Sequence, residues 1–87
     1  MKLTITISGE DTKKYDIQVD NRQRIITTLR VLSENMGEFA KFAQTKWVSL
    51  KESGRRIPID KTYEDAGVYT GAWLVVHTKE TDGQERN

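Results

Sequence analysis

The spacing of the apolar residues changes along the chain, and this change constrains the fold more than any other feature. In the first twenty residues apolar side chains occupy every second position of two short segments separated by a turn-rich cluster at residues 8–12. The alternating residues are Leu3, Ile5, Ile7, Tyr15, Ile17 and Val19. Because successive side chains of a strand point to opposite faces, this pattern predicts an N-terminal hairpin with one buried face.

The next segment has helical spacing. Its apolar residues recur three or four positions apart, at Ile25, Ile26, Leu29, Leu32 and Met36. Such a stripe predicts an amphipathic helix whose apolar side faces the hairpin. Asp20 or Asn21 is the expected N-cap, with Gln23 as its capping-box partner. Gly37 is the expected left-handed residue that ends the helix.

Short extended segments return in the second half of the chain. Val48 and Leu50 are the expected inward pair of a third strand that begins at Trp47. Residues 57–59, Ile-Pro-Ile, predict a short edge strand, because proline has no N–H to donate to a central ladder. In the last strand, residues 73–78, Leu74 and Val76 are expected to face the helix.

Two connections carry further apolar residues. Phe39, Phe42 and Ala43 lie three and four positions apart within residues 38–46, which favours a short second helix. In the connection before the last strand, the expected buried anchors are Tyr63, Ala66 and Val68. Both connections are expected to pack against the same core.

The order of these elements predicts an α+β fold of the β-grasp type, with a mixed four- to five-stranded sheet packed on one main helix. A chain of 87 residues is long enough for one small core and too short for two. We therefore predict one domain over residues 1–78. Residues 79–87 are polar throughout and predict a flexible C-terminal tail.

Composition narrows the functional classes. The chain has no cysteine, which removes thiolate nucleophiles, thiolate metal sites and disulfides. Lys and Arg total 14 against 13 Asp and Glu, so nucleic acid is not an expected partner. Its apolar runs are far shorter than the roughly 20 residues of a membrane helix, so no membrane insertion is expected. The strand pattern directly after Met1 differs from a signal peptide, which makes a cytoplasmic location the expectation.

The sequence predicts no enzyme. His77 is the only histidine, and no nucleophile or orienting carboxylate is indicated beside it, so an ordinary surface histidine near Ser49 is the favoured interpretation. No residues have the spacing of a metal site. We expect no catalytic residue, no cofactor and no metal.

A protein-binding surface is the favoured alternative. Trp47 and Trp73 are expected to point away from the helix, where aromatic side chains are costly unless they are covered or used in recognition. Two packing alternatives stay open: Trp47 over Phe39 and Phe42, and Trp73 over the core edge near Tyr69. Arg55 and Arg56 form a basic patch or guard an exposed edge. The candidate partner-binding surface is Trp47, Lys51, Arg55, Arg56, Trp73, Val75 and His77.

Residues 54–68, Gly-Arg-Arg-Ile-Pro-Ile-Asp-Lys-Thr-Tyr-Glu-Asp-Ala-Gly-Val, resemble the stretch of ubiquitin around its fourth strand, and the likeness extends over residues 2–78. Among ubiquitin-like proteins the chain is most similar to the YukD/EsaB family, which is encoded with bacterial type VII (WXG100/ESX) secretion systems. This similarity lies in Trp47-Val48, in Arg56-Ile57-Pro58, and in residues 63–71, Tyr-Glu-Asp-Ala-Gly-Val-Tyr-Thr-Gly. The resemblance implies a cytosolic, non-conjugated adaptor of a machine that exports small helical WXG-type proteins.

Two departures from ubiquitin limit the functions that the resemblance implies. The sequence ends without the Gly-Gly that conjugation and sulfur-carrier chemistry require, so a modifier or sulfur carrier is disfavoured. Lys51 stands where ubiquitin has an exposed apolar contact, so ubiquitin's own receptors are not expected to bind. The main hypothesis is an adaptor that binds a secretion component, and the alternative is an interaction or self-association module of an unrelated cytosolic pathway.

Overall fold

The computed structural model describes residues 1–10 and 13–78, and the tail predicted for residues 79–87 lies outside this part, so the predicted domain boundary stays a prediction. Five strands form one sheet: β1 Lys2–Gly9, β2 Tyr15–Asp20, β3 Trp47–Leu50, β4 Arg56–Pro58 and β5 Trp73–His77. The helices are α1 Ile25–Asn35, a 3-10 segment at Gly37–Gln44, and the single turn α2 Tyr63–Ala66.

The strands lie in the order β2-β1-β5-β3-β4. β1 and β5 pair in parallel, with Thr6 opposite Trp73, and every other pair is antiparallel. The sheet is therefore mixed, with the first and last strands of the chain side by side near its centre. β4 lies at an edge, as the proline in its sequence predicted.

One hydrophobic cluster fills the space between the sheet and α1. It contains all the predicted inward residues of β1 and β5, together with Leu29 of α1 and the anchors Tyr63, Ala66 and Val68. The cluster comprises Leu3, Ile5, Ile7, Val19, Ile25, Leu29, Leu32, Phe39, Phe42, Val48, Ile57, Tyr63, Ala66, Val68, Leu74 and Val76. Every strand contributes a side chain to this cluster, so the apolar face of the sheet is buried by packing against the helices.

The predicted N-cap of α1 was wrong. The helix begins at Ile25 after Arg24, without a side-chain cap, and its first amides donate instead to backbone carbonyls of the connection before α2. Ile25 N donates to Lys61 O at 2.9 Å, and Ile26 N donates to Ile59 O at 2.8 Å. Asp20 accepts from Arg22 N in the preceding turn, and this hydrogen bond lowers the pKa of its carboxyl. Tertiary contacts thus replace the expected cap.

The helix also ends differently from the prediction. Met36 terminates α1 in an extended conformation, and its amide donates to Leu32 O at 2.9 Å. Gly37 does not adopt a left-handed conformation and instead begins the 3-10 segment. With about three residues per turn, this segment places Phe39 and Phe42 on one buried face, with their ring centroids 4.7 Å apart. Ala43, predicted to share that face, is exposed.

The connection before the last strand contains α2. Thr62 caps it by accepting from Asp65 N at 3.0 Å, and Gly67 ends it in the left-handed region at φ 73°. Tyr63 is fully buried, and its hydroxyl donates to Thr28 Oγ1 at 2.8 Å. Burial raises the pKa of Tyr63 to about 12. This hydrogen bond ties α2 to α1 inside the core.

Candidate interaction surface

The face of the sheet that points away from α1 carries an unusual set of side chains. We call it the outer face and define it by Thr4, Thr6, Ser8, Trp47, Ser49, Arg56, Trp73, Val75 and His77, with Lys14 and Lys51 lying over it. Alternation forces these side chains outward once Leu74 and Val76 are buried. In the register of β3 and β5, Trp47 lies opposite His77 and Ser49 opposite Val75.

Trp47 contacts the imidazole of His77 and the guanidinium of Arg56. Its ring stacks on His77 with the centroids 4.1 Å apart and the planes 16° from parallel. The Arg56 guanidinium lies 4.2 Å from the centroid of the Trp47 ring. Of the alternatives that the sequence left open, packing of Trp47 over Phe39 and Phe42 was wrong, because β3 directs this side chain to the outer face.

Trp73 has a similar setting at the other end of β5. Its indole N–H donates to Ser8 Oγ at 2.9 Å. The ammonium groups of Lys14 and Lys51 lie 4.8 Å and 5.4 Å from the centroid of the ring. Trp73 is thus half-buried beside Ser8, and Tyr69, near which packing was the open alternative, is 76% exposed.

A shallow cleft of about 320 Å³ lies beside Trp73. It is lined by Ser8, Gly9, Glu10, Lys14, Lys51, Trp73 and Val75. Within residues 1–10 and 13–78, no carboxylate lies within 4.0 Å of Lys14, Lys51 or Arg56, and the one ion pair joins His77 to Glu10. The cations over the two indoles thus face solvent without an intramolecular carboxylate partner in the described residues.

His77 makes two polar contacts, one with Ser49, near which it was predicted to lie, and one with Glu10, which the sequence did not indicate. Its Nε2 lies 2.9 Å from Ser49 Oγ, and its Nδ1 lies 2.8 Å from Glu10 Oε2. Glu10 is 67 positions away and comes close only because β1 and β5 are parallel, with Gly9 opposite Val76. The predicted position of His77 near Ser49 is confirmed, and the expectation that no orienting carboxylate lies beside it was wrong. The parallel pairing of the first and last strands is the signal that could have placed Glu10 there.

Serine, histidine and carboxylate are joined here in the order found in serine hydrolases. Acyl transfer also needs amide donors aimed at the developing oxyanion. Ser49 is buried. The strand β3 is paired with β4 on one side and β5 on the other, so the backbone amides of β3 donate within the sheet. The arrangement therefore orients the His77 ring against Trp47 and offers no oxyanion site on β3.

Six of the seven candidate residues meet on or over the outer face: Trp47, Lys51, Arg56, Trp73, Val75 and His77. Arg55 does not join them. Its guanidinium donates to Ala66 O at 2.8 Å, so it fastens the β3–β4 turn to α2. Lys14 was not among the candidates, because it lies just before β2 and no periodicity marks it. The single basic patch of Arg55 and Arg56 is thereby divided between two sides of the molecule.

Two further features concern metals and membranes. Residues 1–10 and 13–78 contain no group of three or more side chains that could hold a metal ion. In the same residues, no helix has the length and apolar character needed to cross a bilayer.

Comparisons with known proteins identify the fold. No family model matches the chain, and no curated protein sequence does. A protein designed de novo on the basis of ubiquitin superimposes with a TM-score of 0.71 at 20% identity, over 95% of this chain and 96% of the other. The ubiquitin of Caldiarchaeum subterraneum gives 0.66 at 19% identity, over 95% and 100%. The fold is ubiquitin-like, which confirms the predicted fold class, and neither structure connects the chain to type VII secretion.

Proposed function

We propose that this protein is a non-catalytic protein-interaction module that binds its partner through the outer face. The observation that carries the proposal is the pair of half-buried indoles, Trp47 and Trp73, each with basic side chains over its ring. Tryptophan and arginine are enriched where protein interfaces have most of their binding energy. Both tryptophans lie on the face of the sheet opposite the hydrophobic core, so covering that core does not explain why basic side chains lie over their rings.

Hydrogen bonds also orient aromatic side chains of the outer face. Ser8 fixes the Trp73 indole, and Ser49 and Glu10 fix the His77 ring under Trp47. Binding to such a surface costs less side-chain entropy than binding to mobile side chains. This preorganisation supports recognition by the face as a unit.

We further propose that the partner is a component of a type VII-like secretion apparatus, facing the cytoplasm. This part rests on the resemblance to the YukD/EsaB family. The residues that carry the resemblance include Tyr63, which is buried, and Gly67, which ends α2, so they belong mainly to the scaffold. Trp47 and Arg56 belong both to the resemblance and to the outer face.

Photocrosslinking in the native host tests the proposal. A benzophenone amino acid replaces Val75 on the outer face, and a matched variant carries it at Glu34, which is exposed on α1. We expect a specific adduct with a secretion component from position 75 and little from position 34. An adduct formed equally from both positions, or only from position 34, contradicts binding through the outer face.

Export provides the second readout, and it tests the pathway separately. Deletion of the encoding gene should impair export of the small helical substrates, and the wild-type chain should restore it. Lys51→Glu, which reverses a charge over Trp73, should restore export poorly, whereas Lys41→Glu on the 3-10 segment should restore it fully. Unimpaired export after deletion refutes the secretion role. The interaction role is then decided by the crosslinking experiment alone.

A further inference from the structure

We infer that the outer face selects an acidic, extended segment of a partner protein, with carboxylates about four residues apart. The inference rests on the proposed function and adds the chemistry of the partner. It is carried by two candidate anion sites, one at each tryptophan, whose separation follows from the register of the two tryptophans in the sheet. Each site is a cation held over a tryptophan ring without a carboxylate within 4.0 Å among residues 1–10 and 13–78.

The first site lies at Trp73. Lys14 and Lys51 both approach this ring, and both line the 320 Å³ cleft with Ser8. A carboxylate that enters the cleft can accept from both ammonium groups, and such charge-assisted hydrogen bonds are stronger than neutral ones. Glu10 also lines the cleft, but its Oε2 is engaged by His77 Nδ1. Among the described residues that line it, the cleft therefore has two ammonium groups against one carboxylate.

The second site lies at Trp47. The central carbon of the Arg56 guanidinium is 4.2 Å from the ring centroid, within the range of a cation–π contact. A guanidinium presents paired N–H groups that can bind a carboxylate in a bidentate manner. Arg56 thus offers a directional contact, whereas the two lysines offer point charges.

The sheet sets the distance between the sites. Trp47 lies opposite His77, four residues along β5 from Trp73. At about 3.3 Å per residue this is roughly 13 Å along the strand. An extended segment lying along β5 spans the same distance in about four residues, so carboxylates at positions i and i+4 reach both sites.

Charge distribution favours an acidic protein segment over a long polyanion. The chain has a net charge of only +1, which gives little long-range attraction for nucleic acid or anionic lipid. Beside the outer face, β2 directs two carboxylates to the same side of the sheet: Asp16, opposite Thr6, and Asp20, opposite Lys2. A polyanion that crosses the whole sheet meets these carboxylates. A short acidic segment along β5 avoids them.

Two peptides of identical composition test the inference by NMR titration of the 15N-labelled chain. One carries two glutamates four positions apart among serines and threonines, and the other carries them side by side. The same peptide with glutamines is the uncharged control, and inorganic phosphate, a DNA oligonucleotide and anionic vesicles serve as competing anion sources. We expect the separated-glutamate peptide to shift the two indole N–H signals most, with affinity falling about five-fold or more between about 20 and about 200 mM NaCl.

Charge-removing variants complete the test. Lys51→Gln should weaken the separated-glutamate peptide about three-fold, and Lys14→Gln with Lys51→Gln should weaken it about ten-fold. Lys41→Gln and Lys61→Gln remove the same charge from exposed positions outside the outer face and should change affinity by less than about 1.5-fold. The amide spectrum of each variant checks that the fold is retained.

Several outcomes overturn the inference. They are equal binding of the glutamine peptide, equal binding of the two glutamate isomers, shifts confined to α1, or tighter binding of phosphate, DNA or vesicles than of the separated-glutamate peptide. These outcomes leave the proposed function standing if position 75 still crosslinks to its partner. Loss of crosslinking from position 75 contradicts the proposed function itself. The experiments therefore distinguish failure of the inference about acidic segments from failure of the proposed function.

Discussion

The buried hydroxyl of Tyr63 gives a prediction whose sign changes with pH. This hydroxyl donates to Thr28 Oγ1 at 2.8 Å, and Gln23 Nε2 donates to the same oxygen at 2.8 Å. Tyr63→Phe removes the hydroxyl and leaves the ring in the core. At neutral pH we expect the variant to be less stable by about 1 kcal/mol, the net value of one buried hydrogen bond.

At alkaline pH the order should reverse. Because burial raises the pKa of Tyr63 from 10.0 to about 12, the native state holds the phenolic proton more tightly than the unfolded chain does. The associated stability is fully present below pH 10 and is lost as pH rises through about 12. Two pKa units correspond to roughly 2.7 kcal/mol. The phenylalanine variant has no such loss, so the two stability curves should cross near pH 11.

Urea unfolding followed by circular dichroism measures both curves between pH 7 and about pH 11.5. The difference between wild type and variant cancels the other titrating groups that the two proteins share. Tyr69→Phe is the matched control, since Tyr69 is 76% exposed, and its curve should follow the wild type. A constant offset between wild type and Tyr63→Phe up to the highest pH would refute burial as the cause of the raised pKa.

Three further predictions concern the scaffold and its chemistry. Leu29→Ala, at a position that is 1% exposed, should cost about 2–5 kcal/mol of unfolding free energy in urea, and a loss below 1 kcal/mol would contradict the proposed core. Gly67→Ala, at φ 73°, should cost about 1 kcal/mol, whereas Gly37→Ala, with nothing within 4 Å of the added Cβ, should be neutral or stabilising; equal effects would contradict the assigned conformations. Incubation with ATP and an activating enzyme should give no adenylate, and a mass shift would revive the modifier hypothesis.

The sequence predicted the layers of this fold because one face of each element must be buried. The alternation at Leu3, Ile5 and Ile7 and at Leu74 and Val76 left a single consistent inward set. The ends of α1 could not be predicted in the same way. Its first amides use the carbonyls of Ile59 and Lys61, which are far away in sequence, so no local residue reveals the start of the helix.

Most residues of the candidate surface could be predicted, but the contacts among them could not. Alternation placed Trp47, Trp73 and His77 outward, but the contacts among them depend on strand register. Glu10 reaches His77 only through the parallel β1–β5 pair, and Lys14 reaches Trp73 from the connection before β2. Such contacts between turns and distant strands have no periodic signature. Predicting them requires the strand order first.

Cross-saturation NMR on the complex with the crosslinked partner tests the central claim most directly. The labelled chain has two indole N–H groups, one in Trp47 and one in Trp73. With the unlabelled partner irradiated, we predict that both indole signals lose more intensity than the amides of α1. Intensity losses concentrated on α1, with the indole signals unchanged, would contradict recognition through the outer face.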